Sequence, residues 1–275
     1  MRLKNKIAIV TGGGSGFGEG IARRFVEEGC KVIVNDLKPE GGERVAKEIS
    51  SAGGHAKFVQ GDVSKAADWD RLLKATLDAY GSLDIVINNA GTTHRNQPLL
   101  DVTEEQFDRV YAVNVKSLYH SARAVVPYFR RQGGGVLITI ASTAGVRPRP
   151  GLVWYNGSKG AAIVISRAMA VELAPDKIRV NVVNPVAGDT PLLAEFMGSD
   201  TPEMRAKFVA RVEWWRRTSR ASPIRRRCAR SSSPPFHSGA SANRSTLPTL
   251  ASISLPTRQI SSPVPASKWM AAVAS

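Results

Sequence analysis

The stretch KIAIVTGGGSGFGEGIARRFV, residues 6–26, places three kinds of local pattern in a row. Lys6 to Val10 is a short, mostly apolar run that reads as a strand, and Thr11-Gly-Gly-Gly-Ser-Gly-Phe-Gly18 is a glycine turn. Ile21, Ala22, Phe25 and Val26 then share one face of a helix. Strand, glycine turn and helix together form an arrangement for holding phosphate. Glycines let the backbone come close, and a helix N-terminus points amide groups and the positive end of its dipole at an anion. The spacing is not G-x-G-x-x-G. It is T-G-x-x-x-G-x-G, filled by Thr11, Gly12, Gly16 and Gly18.

The pattern then repeats. Lys31 to Asn35 reads as a second strand ending at Asp36, and 41–52 as a helix. Ala56 to Gln60 with Asp62-Val63 reads as a third strand, 67–80 as a helix, and Leu83 to Ile87 as a fourth strand ending in Asn88-Asn-Ala-Gly91. One long helix is expected over 104–130 with Asn114 in its middle, then an apolar strand at 135–141 and a last one at 179–184. Strands alternating with helices at this rhythm predict an α/β fold: a doubly wound parallel sheet with helices on both faces. Asp36 stands eighteen residues beyond Gly18, where a carboxylate accepts hydrogen bonds from an adenosine ribose and repels a 2′-phosphate. That favours NAD over NADP. His94 and Arg95, in the loop after the fourth strand, are expected to be solvated.

Tyr155 and Lys159 lie four residues apart in WYNGSKGAAIVISRAMAVEL, residues 154–173, so a helix puts them on one face. A phenol ionises near pH 10 in water, and a neighbouring cation favours its phenolate. Ser142 follows the apolar strand at 135–141, and strand ends are where such sheets expose chemistry. Leu152, Trp154 and Phe196 suggest a partly apolar pocket whose specificity sits in loops 92–98, 144–154 and 188–210.

On these motifs the first 211 or so residues resemble the short-chain dehydrogenase/reductase family. The Thr11–Gly18 loop, Asp62, Asn88–Gly91, Asn114, Ser142, Tyr155, Lys159 and Pro185–Thr190 occur in that family's order. Val186 departs from it, since the family more often has glycine after this proline. The resemblance implies a Rossmann-like sheet and a nicotinamide cofactor. The cofactor would be held by Gly12, Ser15, Gly16, Phe17 and Gly18 in the first turn, and by Asp36, Asp62 and Val63 at the next strand ends. Asn89, Ala90 and Gly91, then Pro185 and Thr190, would complete its site with Tyr155 and Lys159. It further implies that Tyr155 is the general acid/base and that Lys159 lowers its pKa and holds the nicotinamide ribose. Ser142 would hydrogen-bond the substrate oxygen, and Asn114 would sustain a proton relay through water. The substrate would be a secondary alcohol or ketone of the sugar, 3-oxoacyl or small-alcohol class, and the assembly a homodimer or homotetramer.

Composition limits the alternatives. Two cysteines, Cys30 and Cys228, have neither metal nor redox spacing, and no metal site is expected. No signal peptide or membrane-length apolar run is visible, so the reading is a soluble cytoplasmic protein. The net charge of +15 is lopsided: residues 214–275 carry ten Lys or Arg and no Asp or Glu. From about Val212 the text turns into Arg, Ser and Pro without periodicity, so 212–275 is read as an aberrant basic tail, disordered, after a catalytic domain over 1–211. The genetic code offers an explanation. Lys268-Trp-Met-Ala-Ala-Val273, read two bases later, permits Val-Asp-Gly-Gly, and the codons of Ser262 to Val264 permit Thr-Gly four residues before it. That is the family's closing pattern, so the tail is read as an out-of-frame product. Two other functions stand beside the enzyme: a catalytically impaired cofactor binder lacking the terminal strand, and a nucleic-acid binder acting through the basic tail.

Overall fold

The computed structural model describes residues 1–186, 188, 190–198, 201, 203 and 206. Six parallel strands form its sheet: β1 (Ile7–Thr11), β2 (Lys31–Asp36), β3 (Ala56–Gln60), β4 (Ile85–Asn88), β5 (Gly135–Ile140) and β6 (Ile178–Val183). Their order is β3-β2-β1-β4-β5-β6, which places β1 next to β4 and reverses the winding direction there. The helices are α1 (Gly16–Glu27), α2 (Pro39–Ser51), α3 (Ala66–Tyr80), α4 (Glu104–Tyr111), α5 (Ser117–Gln132), α6 (Val153–Glu172) and the short α7 (Leu193–Met197).

The strands are apolar on both sides because both sides are covered. Ala8, Val10, Val32, Val34, Ile85 and Ile87 pack with Ile21, Phe25, Val45 and Ile49 of α1 and α2. The alternate residues Ile9, Ile33, Val86 and Leu137 pack on the other face with Trp69 and Leu72 of α3 and Val125 and Phe129 of α5. Each such side chain, fully buried, contributes about 1.5–3 kcal/mol. Here the period-two pattern of a strand is masked, and continuous apolar runs stand in its place.

Two expectations need correction. The helix predicted over 104–130 is interrupted: Ala112–Lys116 forms a π-helical turn between α4 and α5. A π turn holds an extra residue and swings a side chain out of the helical register, and here that residue is Asn114. Asp62 and Val63 are not strand. The Asp62 carboxylate accepts from the Ser64 amide at 2.9 Å and the Ser64 hydroxyl at 2.7 Å, and the Asp62 amide donates to Asp68, so the chain turns after β3. Among the described residues no helix is long and apolar enough to cross a membrane. The tail at 212–275, with Cys228, lies outside the described residues, as do Ala187 and Asp189.

Candidate active site

The C-terminal ends of β1, β2, β4 and β5 open on one cavity of about 840 Å³, which runs from Gly12 and Asp36 to Ser142, Tyr155 and Phe196. Its floor at one end is the turn from β1 to α1. Gly18 has no room for a side chain: a Cβ there would stand 2.0 Å from the Gly12 carbonyl oxygen. The turn therefore folds tightly enough for Ser15, Gly16 and Phe17, at the start of α1, to line the cavity. Thr11 holds this turn against β4. Its hydroxyl accepts from the Asn89 and Ala90 amides at 3.0 Å each, and Asn89 Nδ2 donates to the Thr11 carbonyl at 2.8 Å. Sequence reasoning counted Thr11 only as a motif letter; its hydroxyl is the clasp between the two strand ends.

Asp36 ends β2 inside the cavity. One carboxylate oxygen accepts from the Gly14 amide at 2.9 Å and the other from the Lys38 amide at 3.1 Å. The cations near this end are mostly engaged elsewhere. Arg44 is paired with Glu19 at 2.7 Å and with Glu48, and Arg23 pairs with the same two glutamates. Asp62, Val63, Ala90 and Gly91 also line the cavity, as do Pro185 and Thr190 on the segment that crosses above the turn. That segment is anchored by the Thr143 amide donating to the Pro185 carbonyl at 2.9 Å.

At the other end, β5 delivers Ser142 and α6 delivers Tyr155 and Lys159. The turn after β5 packs so closely on α6 that a Cβ on Gly145 would lie 2.6 Å from the Lys159 backbone. This contact brings the Ser142 hydroxyl to Tyr155, with which it hydrogen-bonds. Lys159 Nζ is buried, donates to the Ile140 carbonyl at 3.0 Å and sits 5.9 Å from the Tyr155 ring centroid. Burial pushes the Tyr155 phenol up to about 12, while the Ser142 hydrogen bond and the Arg149 charge act in the opposite direction. Burial also pushes the Lys159 ammonium down to about 8. Burial works against the charged form of each group.

Asn114, swung inward by the π turn, spans the two halves. Its Oδ1 accepts from the Thr92 amide, and its Nδ2 donates to the Thr92 carbonyl and to Ser158 Oγ, all at 2.9 Å. Ser158, fully buried, passes the contact on by donating to the Tyr155 carbonyl at 2.8 Å. Gly91 fits between these groups, since a Cβ there would stand 3.2 Å from Lys159 Nζ and 3.3 Å from Asn114 Oδ1. All four residues of the expected catalytic set thus meet in one place. Ser158 was missed, and only its position between Tyr155 and Lys159 hinted at it.

His94 is a correction. It is 1 % exposed, not solvated, with Nδ1 held by the Arg95 carbonyl at 2.8 Å. Arg95 is exposed, as expected, and its Nε donates to the Gly198 carbonyl at 3.0 Å. Cys30 is buried beside the core, where desolvation pushes its thiol up to about 12 and leaves it inert.

Residues 6–199 match the short chain dehydrogenase family. The chain is 52% identical over 213 residues to 4-formylbenzenesulfonate dehydrogenase of Comamonas testosteroni, covering 77% of this chain and 84% of that one. It is 37% identical over 211 residues to 2-(R)-hydroxypropyl-CoM dehydrogenase of Xanthobacter autotrophicus, with 76% and 84% covered. Among solved structures, 3-ketoacyl-(acyl-carrier-protein) reductase of Brucella melitensis, crystallised with NADH, superposes with a TM-score of 0.68 at 47% identity, covering 71% of this chain and 81% of that one. With the family model matched over residues 6–199, a relative 52% identical and a solved structure superposing at a TM-score of 0.68, this chain belongs to the short-chain dehydrogenase family of oxidoreductases.

Proposed function

We propose that the protein is an NAD-dependent dehydrogenase that moves a hydride between nicotinamide and a hydroxyl-bearing or carbonyl carbon. The observation that carries this reading is the single cavity joining the glycine turn to Tyr155. The cavity fits a dinucleotide: a turn with no space for side chains faces a helix N-terminus, a carboxylate lies at the second strand end, and the phenol lies at the far end. The α1 N-terminus with Ser15, Gly16 and Phe17 would hold the pyrophosphate, Asp36 the adenosine ribose, Asp62 and Val63 the adenine side, and Asn89 to Gly91, Pro185 and Thr190 the remainder. Bound nicotinamide supplies the hydride chemistry.

The chain's own residues handle the proton. In the oxidative direction Tyr155, as phenolate, takes the proton from the substrate hydroxyl while the Ser142 hydroxyl fixes the reacting oxygen. Lys159, when charged, stabilises that phenolate from the adjoining helical turn. Both Asn114 Nδ2 hydrogens and one Oδ1 lone pair are committed to the protein. Of its side chain, a water relay at Asn114 therefore has only the other Oδ1 lone pair to work with. In the reductive direction the same phenol returns its proton to the carbonyl oxygen.

Preference for NAD rests on Asp36, and Arg44, a cation beside the glycine turn, is tied to Glu19 and Glu48. A panel of simple and aromatic alcohols assayed with both cofactors tests the reading. The expected outcome is turnover with NAD and kcat/KM at least about 100-fold lower with NADP. Asp36→Ser should shrink that ratio by about 10-fold or more, because Lys38 also lines this end and is no longer opposed. Equal kcat/KM for the two cofactors in the unaltered protein rejects the preference. No turnover of any alcohol favours the impaired cofactor binder instead.

We also infer that the residues after about 211 are translated out of frame and that the in-frame ending would supply the strand beyond β6 and an oligomer interface. The shifted Val-Asp-Gly-Gly and Thr-Gly codons support this reading, as does the unmatched remainder of the relatives. Resequencing the DNA that encodes residues 205–275 tests it. A frame unbroken through that region overturns it. A recovered frame should give a protein that is more soluble and more resistant to trypsin than the chain with the Arg216–Arg230 cluster.

A further inference from the structure

The catalytic end of the cavity has an apolar wall and a positive mouth. Ala144, Leu152 and Tyr155 pack as one cluster with Phe196, whose ring meets Tyr155 edge-on with centroids 5.1 Å apart. Arg149 lines the same cavity from the loop between β5 and α6. Among the described residues no carboxylate lies within 4.0 Å of its guanidinium. The carboxylates that line the cavity, Asp36 and Asp62, stand at the ends of β2 and β3, across the sheet from β5. Arg149 is exposed, yet its charge is felt at the Tyr155 phenol.

The loop that carries Arg149 is built stiffly. Pro148 and Pro150 flank it and restrict the backbone on both sides. The Arg149 carbonyl accepts from Asn156 Nδ2 at 2.8 Å, and the Gly151 carbonyl accepts from the Gln97 amide at 3.0 Å. A guanidinium on a fixed loop presents a planar fork that matches a sulfonate or carboxylate, and a cation at the rim of a low-dielectric cleft draws anions toward it.

We propose that Arg149 anchors the anionic group of the substrate, so that the enzyme takes a small alcohol or carbonyl compound with a ring-sized apolar body and a sulfonate or carboxylate at the end remote from the reacting carbon. The assignment rests on the oxidoreductase reading for which end of the molecule reacts. The apolar body lies against Leu152 and Phe196, the reacting oxygen meets Ser142 and Tyr155, and the anion stays at the solvent rim, where its hydration is largely kept.

Calorimetric binding to the full chain tests this, with and without NADH, using benzyl alcohol, 4-sulfobenzyl alcohol and 4-carboxybenzyl alcohol at low and high salt. No turnover of an alcohol occurs with NADH. The charged alcohols should bind about 10-fold more tightly than the neutral one at low salt, with the preference fading at high salt. Arg149→Gln should remove most of that preference, Arg149→Lys should keep part of it, and Arg147→Gln, on the neighbouring exposed arginine outside the cavity lining, should retain it in full. Equal affinity for charged and neutral alcohols in the unaltered protein, or a preference that survives in Arg149→Gln, overturns the anchor. An anion preference without NADH binding or any turnover with NAD rejects the oxidoreductase reading instead, so the two failures are distinguishable.

Discussion

Tyr155→Phe should cut turnover by at least about 100-fold while leaving NAD affinity within a few-fold. The substitution removes one oxygen from a buried ring. The Phe196 edge contact, the Leu152 packing and the Ser158 bond to the backbone carbonyl all remain. What goes is the group that exchanges the proton with substrate and the hydrogen bond from Ser142. Because burial pushes this phenol up to about 12, phenolate is scarce near neutrality. Alcohol oxidation in the unaltered enzyme should then climb about tenfold per pH unit below the phenol's pKa, and carbonyl reduction, which needs the protonated phenol, should stay flat over the same range. In Tyr155→Phe the residual rate should lose that climb. Steady-state kinetics across pH decide the matter: turnover near that of the unaltered enzyme, or an unchanged pH slope, removes Tyr155 from the role.

Lys159→Met should abolish turnover and at the same time make the fold more stable at neutral pH. The ammonium is buried, and its pKa falls from 10.5 to about 8 in the folded protein. Below about 8 the folded state holds the charge and carries the whole desolvation cost, about 3 kcal/mol. Between 8 and 10.5 the unfolded chain binds more protons than the native one, so stability rises with pH across that window. Methionine has no charge to desolvate but leaves the Ile140 carbonyl short of one donor, a loss of about 1 kcal/mol or more. The net expectation is a gain of about 1–2 kcal/mol at pH 7 that vanishes by about pH 10. Urea denaturation at the two pH values measures it. A variant less stable than the parent at pH 7 would show that the lysine is matched by partners in the folded site. The same cation that the chemistry requires is a strain on the fold, a common bargain at catalytic centres.

How much of this was legible in the sequence follows from how local each feature is. The glycine turn, the succession of strands and helices along the chain and the Tyr155–Lys159 helix depend on neighbours within a few residues, and their boundaries in the sequence differ from the structure by one or two residues. The π turn at Asn114 was not legible, because what holds the side chain inward is Thr92, 22 residues earlier, and Ser158, 44 residues later. His94 read as a loop residue for the same reason, since nothing beside it in the chain announces burial. Asp62 and Val63 looked like strand from composition, but the carboxylate preferred the Ser64 amide and turned the chain. Arg149 sits in a stretch read as specificity-bearing, yet that no carboxylate among the described residues pairs with it is a property of the assembled cavity.

The strand order has a consequence in time. β1 pairs with β2 on one side, but its other neighbour is β4, and Ala8 opposite Ile85 means a partner roughly 80 residues further along. At a synthesis rate of about 5–20 residues per second, the central strand spends about 4–15 seconds with one apolar edge waiting, on every ribosome that makes it. β5 and then β6 join later still, each on the flank the previous strand leaves open. The half of the sheet that carries the glycine turn is therefore present before the half that carries Ser142 and Tyr155 has been made.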